Sequence, residues 1–445
     1  MSLDPVVEMI KNAGVVGAGG AGFPTHVKLS SKVDTIIVNG VECEPLIHVD
    51  KQLLKKDYLG KVYEGLMVAA KLTNANKLIV ALKSKNKEAV NALESFHQYD
   101  LNFDIFKLAD FYPAGDEQVL VNEVTGKIVP EGGIPLNVGV VVINVETLIN
   151  VANAVQNKNV TEKYVTVNGA VQTPKTLKVP LGTPILKLLD ECEGVSTTSY
   201  KVIDGGPMTG KLVDPNIHAV TKTTKAIIAL PEDNIVIVQK SRDISTQFRR
   251  AQAICLSCRM CTDLCPRYLL GHDLFPDELM KRMYKKELDL DSMKSFDYAY
   301  LCCECGLCEL YGCVVDLSAR SIFSYLKDEL TKAQIKNSHQ RSDLKINDFR
   351  EFRKVPVSRL LKRLEIDKYN SRAELTDYNF KVDEVKLFLT QHVGVPSMPV
   401  VKVGDKVNKG DVIAEIPDGK LGSKIHSSID GVIKEITEQY IIVSA

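Results

Sequence analysis

Residues 255–266 read CLSCRMCTDLCP, so Cys255, Cys258, Cys261 and Cys265 stand at C-x2-C-x2-C-x3-C spacing with Pro266 directly after the last. Three thiolates two residues apart can wrap one face of an iron–sulfur cubane. The fourth, turned away by the next residues and the proline, ligates the other cluster where two clusters share a chain. A second run, Cys302, Cys305, Cys308 and Cys313, reads C-x2-C-x2-C-x4-C with no proline after it. The reading is two 4Fe–4S clusters, one on Cys255, Cys258, Cys261 and Cys313, the other on Cys302, Cys305, Cys308 and Cys265. Cys303 is the spare thiol; Cys302 is preferred as ligand because it keeps the two-residue gap, but slippage between these neighbours stays open. Zinc also uses C-x2-C pairs, yet eight cysteines in two such runs, the first closed by Cys-Pro, favour clusters.

Outside 255–313 the chain has only Cys43 and Cys192, so the eleven cysteines do not form a disulfide framework. Clustered thiols of this kind belong to metal or redox chemistry in a reducing compartment. The 445 residues suggest roughly three domains. Lys plus Arg and Asp plus Glu each total 56, so no global field argues for nucleic acid or an anionic membrane. The apolar run from Val138 to Val145 is far short of the roughly 20 residues of a membrane span. The first residues, MSLDPVVEMIKN, lack a basic region followed by an apolar run, so no export signal is expected. These features predict a soluble cytoplasmic protein.

Residues 1–155 alternate β-rich runs (Val33–Val38, Lys77–Leu82, Asn102–Phe106, Gly139–Asn144) with helical patterns (Asp50–Lys71, Asn86–Phe96), which predicts a parallel sheet covered by helices. From Lys163 to Pro231, the alternating YVTVNGAV, one short helix and KVIDGGPMTG predict a small mixed β domain. Residues 240–330 hold the cysteines and amphipathic helices at Pro276–Lys286 and Leu317–Thr331. Residues 331–380 read as a basic linker. Between 331 and 373 there are twelve Lys or Arg against five Asp or Glu, a local charge of +7, expected to be solvated unless it docks an acidic or phosphate-bearing partner. Residues 381–445 give short β-runs and turns, a compact β-sandwich.

Near the N-terminus, GVVGAGGAGFPTHVKL places Gly17, Gly19 and Gly22 at G-x-G-x-x-G spacing. A dinucleotide fingerprint needs a strand before the glycines, but Pro5–Asn12 reads as helix, so the ordinary reading is set aside. Glycines still let backbone N–H groups approach a phosphate, a helix starting near Pro24 would add its positive end, and Lys28 a full charge. The phosphate of flavin mononucleotide (FMN) suits such a loop; a plain glycine turn is the bland alternative.

Together, GAGGAGFPTHVKL, IVNGVECEP, YPAGDEQ and INVETL resemble, in order, the flavin-binding fold shared by the NADH-oxidising flavoprotein of respiratory complex I, the RnfC proteins and the propanediol-utilisation cobalamin reductases. The resemblance extends to a multidomain α/β architecture: an FMN domain, an SLBB β-grasp, an α-helical two-cluster ferredoxin domain and a lipoyl-like barrel-sandwich. RnfC proteins usually place the sandwich before the glycine-rich loop; here it comes last, as in the cobalamin reductases. The resemblance implies that Gly17, Gly19 and Lys28, with Gly20 and Gly22 in the same loop, hold the phosphate side of FMN. Asn39, Asn144 and Thr147 would bond its ribityl chain or ring. Phe23 and Glu44 match positions that meet the nicotinamide nucleotide, and Gly115, Asp116 and Glu117 match a Gly-Glu-Glu stretch with one carboxylate shortened. Val41 replaces an acid, and Leu29 and Ser30 stand where an aromatic follows the lysine, so the NADH pocket departs from the pattern more than the FMN pocket.

The implied function is an NADH-dependent oxidoreductase that passes electrons through FMN and two clusters to cobalamin or a corrinoid-bearing protein such as an adenosyltransferase. Its implied place is inside or beside a bacterial microcompartment, whose shell proteins are further candidate partners. The competing readings are an RnfC-type component of an Rnf complex, exchanging electrons between ferredoxin and NAD, and a non-enzymatic electron relay. No acid, base or nucleophile is required for hydride transfer, and none is assigned; His26, His48, Cys43 and Lys420 are read as structural.

Overall fold

The computed structural model describes residues 4–97, 102–282, 293–376 and 380–445. The first unit runs α1 (Pro5–Asn12), α2 (Thr25–Leu29), β1 (Thr35–Gly40), α3 (Asp50–Leu53), α4 (Lys56–Thr73), β2 (Lys77–Lys83), α5 (Lys87–His97), β3 (Asp104–Leu108), β4 (Phe111–Tyr112), α6 (Glu117–Thr125), β5 (Val140–Asn144) and α7 (Val145–Ala154). Strands β3, β2, β1 and β5 lie in that order, all parallel. Strands of a parallel sheet covered on both faces read as near-continuous apolar runs, and Ile36–Val38 of β1 and Val140–Ile143 of β5 are such runs with every residue buried. Helix α1 starts cleanly because Asp4 accepts from the Val6 N–H and Pro5 fills the first turn. Helices α4 and α7 pack so closely that a Cβ on Gly65 would lie 2.0 Å from the Leu148 carbonyl oxygen.

The chain winds from β1 out to β3 and then returns to place β5 on the other side of β1. That reversal makes the β1/β5 junction a topological switch point, where a crevice opens beyond the carboxyl ends of the strands. Register brings Asn39 and Asn144 side by side there.

The second unit is a mixed sheet of β6 (Glu162–Gly169), β7 (Lys175–Pro180), β8 (Tyr200–Asp204), β9 (Lys211–Val213) and β10 (Ala226–Pro231), with β6 and β10 parallel at its centre. Short helical segments carry the cysteines, flanked by helices Ile244–Ile254 and Ala319–Lys332. At the C-terminus, a four-stranded and a three-stranded sheet form the sandwich. No helix of the described residues is long and apolar enough to cross a membrane.

Three expectations change. The single helix expected over Asp50–Lys71 is two, because Lys55 adopts an extended conformation as the N-cap of α4 and sends its ammonium to Glu88 and Glu374. The helix expected over Pro276–Lys286 is described as Pro276–Arg282; the rest lies outside the described residues. The basic segment is no free linker. It pairs β11 (Val355–Pro356) with β4 and β12 (Leu375–Thr376) with β7, and its cations meet acids of other units: Arg341 with Glu131, Arg350 and Lys354 with Glu123, Arg363 with Asp316. Local charge says nothing of partners far away in sequence, and here several of those partners exist inside the chain.

Lys222 locks three units together. It is 2% exposed, and its ammonium donates to Gly14 O at 2.7 Å, Ser423 Oγ at 3.0 Å and Lys424 O at 2.6 Å. All three acceptors are neutral, so burial pushes its pKa down to about 7. Above that pH the folded chain releases a proton that the unfolded chain keeps to near 10.5, so stability rises with pH in this window, by at most about 1.4 kcal/mol per unit. We expect the thermal midpoint to climb between about pH 7 and 9. The climb should be shallower in Lys222→Met; equal slopes would show that Lys222 keeps an ordinary pKa.

Candidate functional site

The glycine-rich loop is closed at its base by Gly17 N–H donating to Phe23 O at 3.0 Å and by a bridge between Val16 and Pro24. It lies over the β1/β5 crevice. A Cβ on Gly19 would lie 2.8 Å from Asn144 Nδ2, so only glycine lets the backbone rest there, whereas a Cβ on Gly20 would meet nothing within 4 Å. Gly22 sits at φ +75°, a left-handed conformation suited to glycine. The next peptide inward is pinned by Ala18 N–H donating to Thr147 Oγ1 at 3.0 Å.

Both asparagines are fixed. Asn39 donates to Gly115 O at 2.9 Å and accepts from Val41 N–H. Asn144 caps α7 by accepting from Glu146 N–H and donates to both oxygens of Asp50 at 3.0 and 3.1 Å. Lys28 reaches across the sheet to Val142 O at 2.9 Å and to Glu117 at 3.1 Å. Gly17, Gly19, Gly20, Lys28, Asn39, Gly115, Glu117, Asn144 and Thr147 are therefore brought together around β1 and β5, with Phe23 37% exposed beside them, whereas Gly22 turns toward Gln391 and His392. The open space at Gly20 and the backbone seat at Gly19 fit a phosphate-bearing planar cofactor such as FMN.

Two sequence candidates are engaged elsewhere. Glu44 accepts from Met208 N–H, Thr209 N–H and the Thr209 hydroxyl, and a Cβ on Gly206 would strike it. The β-grasp loop thus covers it, and burial raises its pKa despite those bonds. Asp116 caps α6 and pairs with both terminal nitrogens of Arg267 at 2.6 and 3.0 Å. Its charge is spent on the cysteine-rich segment.

That segment surrounds two cavities. One is lined by Cys255, Cys258, Cys261 and Cys313, the other by Cys265, Cys302, Cys303 and Cys305; Cys308 borders both. The chain exchanges its fourth cysteines, Cys265 joining the later run and Cys313 the earlier. Each space is thus bordered by four cysteines of the two runs or more, the donor set that iron–sulfur clusters use. Burial pushes the Cys261, Cys265 and Cys302 thiols up to about 12, so their thiolates need the charge of bound metal. Backbone N–H groups of Glu304 and Leu317 donate to the Cys302 and Cys313 sulfurs, bonds of the kind that tune cluster potential.

The two sites are wired into one body. Buried Tyr112 donates to Cys305 O at 2.7 Å and lies 3.5 Å from Glu44, while Arg267, two residues after Cys265, holds Asp116. Sequence reasoning gave no role to Tyr112, Arg267, Asp50, Glu146, Lys163 or Lys225; Tyr112 and Glu146 lie inside the YPAGDEQ and INVETL motifs, and Arg267 follows a Cys-Pro pair, which were the signals available.

Comparison with known proteins agrees with this geometry. Residues 10–153 match the Nuo51 FMN-binding domain, 164–212 the SLBB domain, 254–318 a 4Fe-4S dicluster domain and 364–445 the RnfC barrel sandwich hybrid domain. The chain is 39% identical to cobalamin reductase PduS of Citrobacter freundii, over 98% of this chain and 95% of that protein. It is 38% identical to cobalamin reductase PduS of Salmonella typhimurium, over 100% and 97%. The C component of the Na+-translocating ferredoxin:NAD+ oxidoreductase complex of Acetobacterium woodii is 34% identical over 60% of this chain and 59% of its own. A chain of the NAD+-reducing NiFe hydrogenase, crystallised in the H2-reduced state, shares the fold at a TM-score of 0.50 and 22% identity; the match covers 77% of this chain and 64% of that one.

Cys303 tests the ligand set. It shares a hydrogen bond with Cys305 and faces Arg267, which together draw its pKa down, whereas Cys302 carries the N–H···S bond of a ligand. Cys303→Ser should retain about eight irons per chain and both paramagnetic signals, and Cys302→Ser should drop to about four. The reverse result would exchange the two residues' roles.

Proposed function

The chain belongs to the PduS-type cobalamin reductase family, and on that premise we propose that it takes electrons from NADH and delivers them singly to the cobalt of cobalamin or of a corrinoid-bearing protein. Bound in the crevice, FMN would supply the chemistry that links two-electron hydride donors to one-electron carriers such as the clusters. The residues' part is to hold and exclude. The glycine loop and Lys28 take the phosphate, Asn39 and Asn144 orient the flavin, and Phe23 shields the lip. Eight cysteines hold the clusters, and the Asp116–Arg267 pair and Tyr112 keep the cysteine loops at a fixed distance from the crevice. No side chain needs to move a proton for the hydride step.

The observation that carries this reading is the coupling of a switch-point crevice and a crossed pair of cysteine quartets within one body, because neither half alone converts a two-electron donor into one-electron delivery. We place the protein in the cytoplasm, inside or beside a microcompartment, with an adenosyltransferase and shell proteins as partners, by extension from its propanediol-utilisation relatives. The Rnf-type reading has less support, since that resemblance spans only 60% of the chain.

Anaerobically prepared protein should contain about eight irons and one FMN, and should reduce cob(III)alamin and cob(II)alamin with NADH faster than free FMN does. No acceleration over free FMN would sink the proposal. Clusters without flavin, and no NADH oxidation with artificial acceptors, would point to a simple relay.

A further inference from the structure

Four charged side chains meet where the β-grasp abuts the glycine-rich loop. Asp50 and Glu146 come from the first unit, Lys163 from β6, and Lys225 from the residue before β10. Their side chains are 6%, 1%, 2% and 11% exposed. Lys163 bonds Glu146 and donates to Ala18 O at 3.2 Å. Lys225 meets Asp50 at 2.6 Å and lies 3.5 Å from both Glu146 and Asn144 Oδ1. Two ammoniums face these two carboxylates, with Glu42 beside them accepting from the Asp50 N–H, and removing either cation leaves a buried charge unpaired.

The outer edge of this network consists of flavin-cradle atoms. In a trans peptide the C=O and the following N–H point to opposite sides. Lys163 draws the Ala18 carbonyl inward and so turns the Gly19 N–H away from itself. On the other branch, Lys225 holds the Asp50 carboxylate, and Asp50 holds Asn144 through both oxygens. Thr147, which pins the Ala18 N–H, lies one residue after Glu146, the partner of Lys163.

We infer that the β-grasp unit is part of the FMN site, with Lys163 and Lys225 as positioning residues that aim the Ala18–Gly19 peptide and the Asn144 side chain at the flavin. Neither lysine lies in the segment that matches the FMN-binding domain model, residues 10–153. The inference rests on the flavin reading. It adds that flavin affinity is controlled from the neighbouring unit.

The test compares full-length, cluster-loaded protein with its Lys163→Met and Lys225→Met variants. FMN affinity is read by quenching of flavin fluorescence, with iron per chain as a check on the rest of the fold. Visible circular dichroism is recorded at saturating FMN, and amide exchange of residues 14–29 is followed in FMN-free protein. Loss of one charge-assisted anchor should weaken FMN about ten- to a hundredfold in each variant. Iron should stay unchanged, the dichroism of the bound flavin should alter, and loop exchange should quicken in Lys163→Met. Affinities within about twofold of the parent, or flavin lost only in step with iron, would overturn the inference and leave the lysines as domain glue. A parent chain that bound no FMN would overturn the flavin reading itself, a result visible before any substitution is made.

Discussion

The parallel pairing of β1 with β5 is the constraint on which the rest is built. Parallel neighbours leave their carboxyl ends at the same edge, and winding outward on both sides of β1 leaves no connection over that edge. The resulting crevice has two asparagines at its floor, in register. Asparagine suits the position because its amide both accepts and donates: Asn144 accepts as the cap of α7 while donating to Asp50, and Asn39 accepts from its own strand end while donating to the 113–116 turn. Each stops a strand, starts the next segment and stays fixed in the crevice.

What surrounds the crevice is contributed by distant parts of the chain, and the contacts are of the kind that tolerate no slack. Buried carboxylates and ammoniums cost several kcal/mol each to desolvate, in order-of-magnitude terms, and are retained only where partners are correctly placed. Asp116 with Arg267 and the Asp50, Glu146, Lys163 and Lys225 group therefore act as alignment pins between units, and Glu309 with Arg320 as one within the cysteine-rich unit. For an electron-transfer protein this is functionally apt, because cofactor separation has to be held constant, and apolar packing alone permits sliding that a buried ion pair does not.

How much of this was readable in the sequence follows from the distance over which each signal acts. Cysteine spacing reports ligand geometry within a dozen residues, so the two runs could be named from the sequence, and the structure gathers them about two spaces, Cys265 with the later run and Cys313 with the earlier. The glycines were legible because the backbone conformation they permit is local. Glu44 and Asp116 could be named but not placed: their hydrogen-bond partners, Thr209 and Arg267, stand more than 140 residues away, and nothing at residue 44 or 116 announces them. Lys163 was invisible for a similar reason. A lysine in an alternating strand reads as solvent-facing until its carboxylate, seventeen residues earlier and in another unit, is seen beneath it. The basic strap was misread because charge counted along the chain ignores the acids it meets in space.

The placement of the sandwich bears on the differing domain order within the family. Although it comes last in the chain, it packs on the first loop: Gly22 sits where a Cβ would approach Gln391 and His392, and Gly14 lies against Lys424 and His426. The Lys222 ammonium joins the same two segments. Terminal units that touch in space can be moved from one end of a chain to the other without losing their contacts, as circular permutation shows. A chain that carried the sandwich before the glycine-rich loop could thus keep the same interface, with only the covalent path altered.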